Sequence, residues 1–160
     1  MKELKIESTF RIYDYEELSE SDRELIDQAR LATLRSYVPY SHFSVGAAAR
    51  LADGTVVSGN NQENASYPMG ICAERTTLFY ANSRYPEQAV ETLAVAARNE
   101  RGEYLSQPIP PCGGCRQVMM EVQNRYGKPL RVLLYGTDGI YEASNAALLL
   151  PLSFSSADME

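Results

Sequence analysis

Pro111-Cys112-Gly113-Gly114-Cys115-Arg116-Gln117 decides how the rest of the chain is read. Its two cysteines stand three apart. Where such a segment opens a helix they share one face, with Cβ atoms about 5–6 Å apart, so both sulfurs reach one metal ion. The chain has three cysteines, and the remaining one, Cys72, lies upstream in Cys72-Ala73-Glu74-Arg75. Three protein ligands leave a fourth tetrahedral position open for water, whose pKa the metal lowers, and a nearby carboxylate then has to move protons. Glu74, at the start of a second predicted helix, would sit beside the metal without ligating it. It is the only carboxylate inside either motif.

Bulk properties narrow the surroundings of that site. A chain of 160 residues, 44% hydrophobic, fits one globular domain that buries roughly 70% of its unfolded surface. The formal net charge of −6 repels polyanions and argues against DNA or RNA as partner. A small neutral substrate fits better. The cysteine count is odd, and Met1-Lys2-Glu3-Leu4-Lys5-Ile6-Glu7 lacks the apolar core of a signal peptide. No run approaches membrane-spanning length. The expectation is a cytoplasmic protein with reduced thiols.

Residues 4–13 alternate partly, with Leu4, Ile6, Phe10 and Ile12 apolar, which suggests an extended arm or edge strand. Ser21-Asp22-Arg23-Glu24 reads as a capping box opening a helix that runs to Tyr37, before Val38-Pro39. Two strands, from Phe43 to Leu51 and from Thr55 to Asn60, flank the hairpin turn Asp53-Gly54. A polar connection then delivers the chain to Cys72 and a helix to about Ser83. A strand from Thr92 to Ala97 follows, then the Cys112 helix to about Tyr126 and a strand from Arg131 to Tyr135. Asp138-Gly139 turns the chain toward a short pairing segment, Ile140 to Glu142, before a short helix from Asn145 to Leu150. This order predicts the α/β class, a single domain with one mixed sheet flanked by helices on both faces.

Both cysteine motifs open helices, whose N-termini present unpaired N–H groups and partial positive charge that stabilise thiolates. Three thiolates on Zn²⁺ leave the site at net −1, and a counter-charge near the sulfurs restores the acidity of the remaining ligand position. Arg75 and Arg116 are candidates. Other readings stay open from the residues alone. Cys112-Gly113-Gly114-Cys115 could be a redox pair, and His42, the only histidine, could close a structural Cys₃His site that admits no water. Asn61 and Glu63 could simply satisfy loop backbone groups. Phe43 and Phe154 could serve only as packing.

The pattern Cys72-Ala73-Glu74 followed by Pro111-Cys112-Gly113-Gly114-Cys115 is that of zinc deaminases. Around it, the chain resembles the small homotetrameric cytidine deaminases that act on free nucleosides. The likeness spans roughly residues 37–154. Besides the two cysteine motifs it rests on Tyr40-Ser41-His42-Phe43-Ser44-Val45-Gly46-Ala47-Ala48, Gly59-Asn60-Asn61-Gln62-Glu63-Asn64-Ala65 and Leu150-Pro151-Leu152-Ser153-Phe154. The resemblance implies a three-layer α-β-α sandwich and zinc-dependent hydrolysis of cytidine and deoxycytidine to uridine, deoxyuridine and ammonia. It implies one Zn²⁺ per subunit on Cys72, Cys112 and Cys115, with Glu74 as proton shuttle and Arg75 neutralising thiolate charge. Asn61 and Glu63 would bind the sugar 3′-hydroxyl, Phe43 would pack on the base, and the Ala73 N–H would hold its O2. Ala65, Tyr67 and Phe154 would reach active sites of neighbouring subunits. Residues 1–20 are left as an extension without a role, and 21–160 as the catalytic domain. A blasticidin-type aminohydrolase and a non-enzymatic structural zinc module are the alternatives.

Overall fold

Alternation along the central strands sorts the chain into layers. In the computed structural model, which describes residues 1–159, strands β2 (Ser44–Leu51) and β4 (Val90–Arg98) are buried along nearly their whole length. Strands covered on both faces show this pattern. Ala47, Ala49, Leu93, Val95 and Ala97 enter one core, while Ala48, Ala94 and Ala96 enter the other. With β1 (Arg11–Tyr13), β3 (Val56–Asn60), β5 (Arg131–Gly136) and β6 (Gly139–Ala143) they form one sheet in the order β1-β6-β5-β4-β2-β3. β4 and β5 run parallel, and the other neighbours are antiparallel.

Helix α1 (Glu20–Ala32) covers one face of the sheet through Leu25, Ile26 and Ala29. Helices α2 (Ala73–Arg84) and α3 (Gly113–Tyr126) cover the other through Ala73, Leu78, Ala81, Cys115, Met119 and Val122. The expected three-layer arrangement is therefore present. β2 and α1 approach so closely that a Cβ on Gly46 would stand 2.1 Å from the Ala29 carbonyl oxygen. The sheet can seat α1 only because that position carries no side chain.

Several boundaries differ from expectation. α1 begins two residues early: Ser19, not Ser21, is its N-cap, and its hydroxyl accepts from the Asp22 N–H. The helix also ends before Tyr37, tightening into a 3₁₀ turn over Thr33–Arg35. Of the expected arm, only Arg11–Tyr13 is a strand, and it pairs with β6 at the sheet edge. The helix expected from Asn145 is a 3₁₀ turn, Ala146–Leu149, capped by the Asn145 side chain. Position 160, the last of the expected catalytic span, lies outside the described residues.

An ionic cluster sits where α1 begins. The buried Asp22 carboxylate accepts from Arg50 at 3.0 Å and from Arg131 at 2.8 Å, and Arg131 also donates to the buried Glu142 at 2.8 Å. Burial by itself would raise the Asp22 carboxyl, but hydrogen bonds from Arg131 and Arg50 outweigh it and hold the group below its ordinary value. A depressed carboxyl stabilises the fold above its unfolded pKa of about 3.9, and that contribution disappears as pH falls through the folded value. Asp22→Asn is therefore expected to cost about 2–4 kcal/mol at pH 7, below the fully buried limit because water reaches both guanidinium groups. Urea unfolding checks this: the gap between the two proteins should close as the pH drops below about 3.9. A gap that persists in acid would show that Asp22 acts through shape alone.

Candidate active site

Two helices start on thiols. Cys72 is the N-cap of α2 and Cys112 the N-cap of α3, each in extended backbone, and Cys115 lies fully buried in the first turn of α3. This placement brings Cys72 Sγ within 3.8 Å of Cys112 Sγ and Cys112 Sγ within 3.5 Å of Cys115 Sγ. All three sulfurs lie within 4.8 Å of one another. A tetrahedron with Zn–S bonds of about 2.3 Å has edges of about 3.8 Å, so the thiols present fit zinc. Among the described residues this is the one group of three or more such side chains that could hold a metal, and His42 is no part of it. The closed Cys₃His alternative therefore fails, and so does a simple two-cysteine redox pair.

The surroundings set the charge of this cage. Hydrogen bonding from the Cys115 thiol, reinforced by the Arg75 guanidinium 3.7 Å from Cys72 Sγ, lowers the Cys72 thiol to about 5 against the opposing effect of burial. Cys115 is pushed upward by its hydrogen bond to Cys72 and by burial. Glu74 is only 4% exposed. Burial raises its carboxyl and the charge of Cys72 adds to that, while the N–H at the start of α2 opposes it. The site thus joins three convergent sulfurs to a carboxyl that water hardly reaches, and such a carboxyl is poised to take and return a proton.

A second cluster lies on the loops that follow α1 and β3. Asn61 Oδ1 accepts from the Val45 N–H and its Nδ2 donates to the Phe43 carbonyl, both at 2.9 Å. Glu63 Oε2 accepts from the N–H groups of Tyr40 at 2.9 Å and Ser41 at 3.3 Å. Hydrogen bonds from Ser41 and Tyr40 hold that carboxyl below its ordinary value. These contacts clamp a turn in which His42 adopts a φ of +54°, a left-handed conformation uncommon outside glycine. Phe43, next in line, packs half-buried against the core that holds Ala73 and Cys115. Tyr40, Ser41, Glu63, Asn64 and Tyr67 line a hollow of about 340 Å³.

A profile described as the cytidine and deoxycytidylate deaminase zinc-binding region matches residues 19–126. The chain belongs to this deaminase family. It is 43% identical to the cytidine deaminase of Halalkalibacterium halodurans over 86% of its own length and 98% of that protein. Its fold is similar to a crystal structure of cytidine deaminase from Burkholderia pseudomallei, with a TM-score of 0.71 and 40% identity over 86% of this chain and all of that one. The cytidine deaminase of Mycobacterium tuberculosis superposes with a TM-score of 0.64 at 33% identity, over 82% of this chain and 95% of that one.

Within this deaminase chain, the residues singled out from sequence fall into three places. Cys72, Ala73, Glu74, Arg75, Cys112 and Cys115 gather at the sulfur cage. Phe43, Asn61 and Glu63 share the clamped loop. Ala65, Tyr67 and Phe154 are exposed on the surface of the chain, with Tyr67 edge-on to Tyr40 at 5.7 Å between ring centroids. Arg116 does not face the thiolates as Arg75 does: its Nε donates to the Pro111 carbonyl and its Nη1 to the Leu149 carbonyl, each at 2.8 Å. Tyr40, Ser41 and Gln117 carry no role legible from sequence alone. Their only signal was membership of the quoted motifs.

Proposed function

We propose that the protein hydrolyses free cytidine and deoxycytidine at C4, converting each with one water to uridine or deoxyuridine and one ammonia. The observation that carries this reading is the buried Glu74 carboxyl beside a three-thiol cage that fits one zinc ion per chain. Cys72, Cys112 and Cys115 would hold the zinc ion, which would supply the Lewis acid that makes water nucleophilic at neutral pH. Glu74 takes a proton from the attacking water, delivers it to N3 of the base, and later moves one to the departing amine. The Ala73 N–H, at the first turn of α2, binds the base O2. Phe43 flanks the ring.

Asn61 and Glu63 each have a second task. Their loop bonds hold the His42 turn in place, and the main-chain bonds from Tyr40 and Ser41 both fall on Glu63 Oε2, which leaves Oε1 as the oxygen proposed to accept the sugar 3′-hydroxyl. Arg75 offsets the thiolate charge. Ala65, Tyr67 and Phe154 have little packing within one protomer, which supports a homotetramer whose sites take walls from neighbouring subunits. Residues 21–160 form the catalytic unit in this reading, residues 11–13 of the preceding segment widen its sheet, and the protein works in the cytoplasm. Among the described residues, no helix is long and apolar enough to cross a membrane.

The test is direct. Zinc-loaded protein should bleach the cytidine absorbance band with equimolar release of ammonia, and should turn over cytidine faster than a cytidine-containing oligonucleotide, which the net charge of −6 would repel. Inertness toward both nucleosides overturns the proposal. Preference for the oligonucleotide or for blasticidin moves the substrate class and leaves the chemistry.

A further inference from the structure

The helix that carries two of the thiols also grips the C-terminal segment. On α3, Gln123 Oε1 accepts from the Ala146 N–H at 3.0 Å and Arg116 donates to the Leu149 carbonyl at 2.8 Å. Two residues after Cys115, Gln117 Nε2 donates to the Phe154 carbonyl at 2.9 Å. That last bond stands apart. Beyond Leu150 the chain leaves the core: Leu152 is 81% exposed with a φ of +54°, and Phe154 is 59% exposed. Ser155 and Asp158 bond only to each other across a short turn. Among the described residues, the Gln117 bond is the sole hydrogen bond or ion pair joining residues 151–159 to the rest of the protein.

We propose that Gln117 is the positioning residue for the C-terminal tail, fixing where Phe154 stands by holding its main-chain carbonyl. The inference rests on the reading above that Phe154 walls a nucleoside site. Because Gln117 reads backbone and not a side chain, it sets the direction in which the phenyl ring projects whatever the ring then touches. It also ties the tail to the second turn of α3, a rigid element that fixes the direction from which the ring reaches its site. Gln117 itself neither touches the reacting atoms nor carries a proton.

Three variants of the full zinc-loaded protein test this: Gln117→Leu, which keeps bulk and loses the donor, Gln117→Lys, which keeps a donor of similar reach, and Phe154→Ala. Hydrogen exchange across residues 151–159 should quicken about tenfold in Gln117→Leu and stay near wild type in Gln117→Lys, in line with loss of one hydrogen bond. KM for cytidine should rise about five- to tenfold in Gln117→Leu with kcat and zinc content unchanged, since only a binding wall has moved. In the Phe154→Ala background the same substitution should add nothing. Unchanged tail exchange overturns the proposal, as does a KM effect that persists in full without Phe154. If Phe154→Ala alone leaves KM unaltered, the wall reading fails, and tail exchange in Gln117→Leu still decides whether Gln117 positions the tail.

Discussion

Glu74→Gln is expected to yield a folded protein that keeps one zinc per chain and loses about 10²–10⁴ in kcat, the contribution typical of a positioned acid and base. Glutamine has nearly the shape of glutamate, so the buried site at the first turn of α2 need not rearrange. The amide retains hydrogen-bonding capacity but cannot carry a proton between water, ring nitrogen and amine. The proposed mechanism uses that relay at more than one step, which is why the effect should appear in kcat more than in KM. Metal analysis alongside steady-state kinetics separates loss of the relay from loss of zinc. A kcat within tenfold of wild type would mean that another group moves the proton.

The second large effect separates the two cysteines of α3. Cys112→Ala and Cys115→Ala should both abolish turnover by removing one of three ligands. Their stabilities should differ, because Cys112 is exposed whereas Cys115 is fully enclosed among Ala73, Met119 and their neighbours. Replacing Cys112 should cost little beyond the stabilisation that bound metal supplies. Replacing Cys115 adds about 1–2 kcal/mol for the emptied volume. Unfolding of both variants in the presence of a chelator, where metal contributes to neither, isolates that difference. Equal stability under chelation would show that the core closes over the Cys115 vacancy.

The sulfur cage was legible in sequence because its spacing is itself the chemistry: a helix opening on one thiol and presenting another three residues on leaves little freedom. Arg75 and Arg116 looked equivalent from sequence, each beside a site residue. Only the fold distinguishes them, since the Pro111 and Leu149 carbonyls that engage Arg116 meet through tertiary packing. The start of α1 is ambiguous in sequence for a similar reason. Ser19 and Ser21 are both followed three residues later by an acid, and local capping chemistry cannot choose between them. The choice is made by Asp22, which Arg50 and Arg131 from distant strands draw inward, and by the buried Leu18 that precedes the cap. Asn61 and Glu63 were read as either loop braces or sugar ligands. The structure shows the bracing by both side chains, and the sugar contact proposed for them is a second role that the loop bonds do not supply.

The pairing of β1 with β6 has a consequence for how the protein is made. Arg11 and Glu142 are 131 positions apart, so β1 cannot find its partner until the intervening residues have left the ribosome. At about 5–20 residues per second that is a wait of roughly 7–26 s. Closing so long a loop also costs about 4 kcal/mol in chain entropy beyond a fixed term, against a ladder only three residues long. The central strands, which need no help from β1, should therefore collapse first, leaving the β1 segment as an unpaired strand until β6 emerges. Lys2, Lys5 and Arg11, interspersed among its apolar residues, supply the charge that discourages such a strand from pairing with another nascent chain.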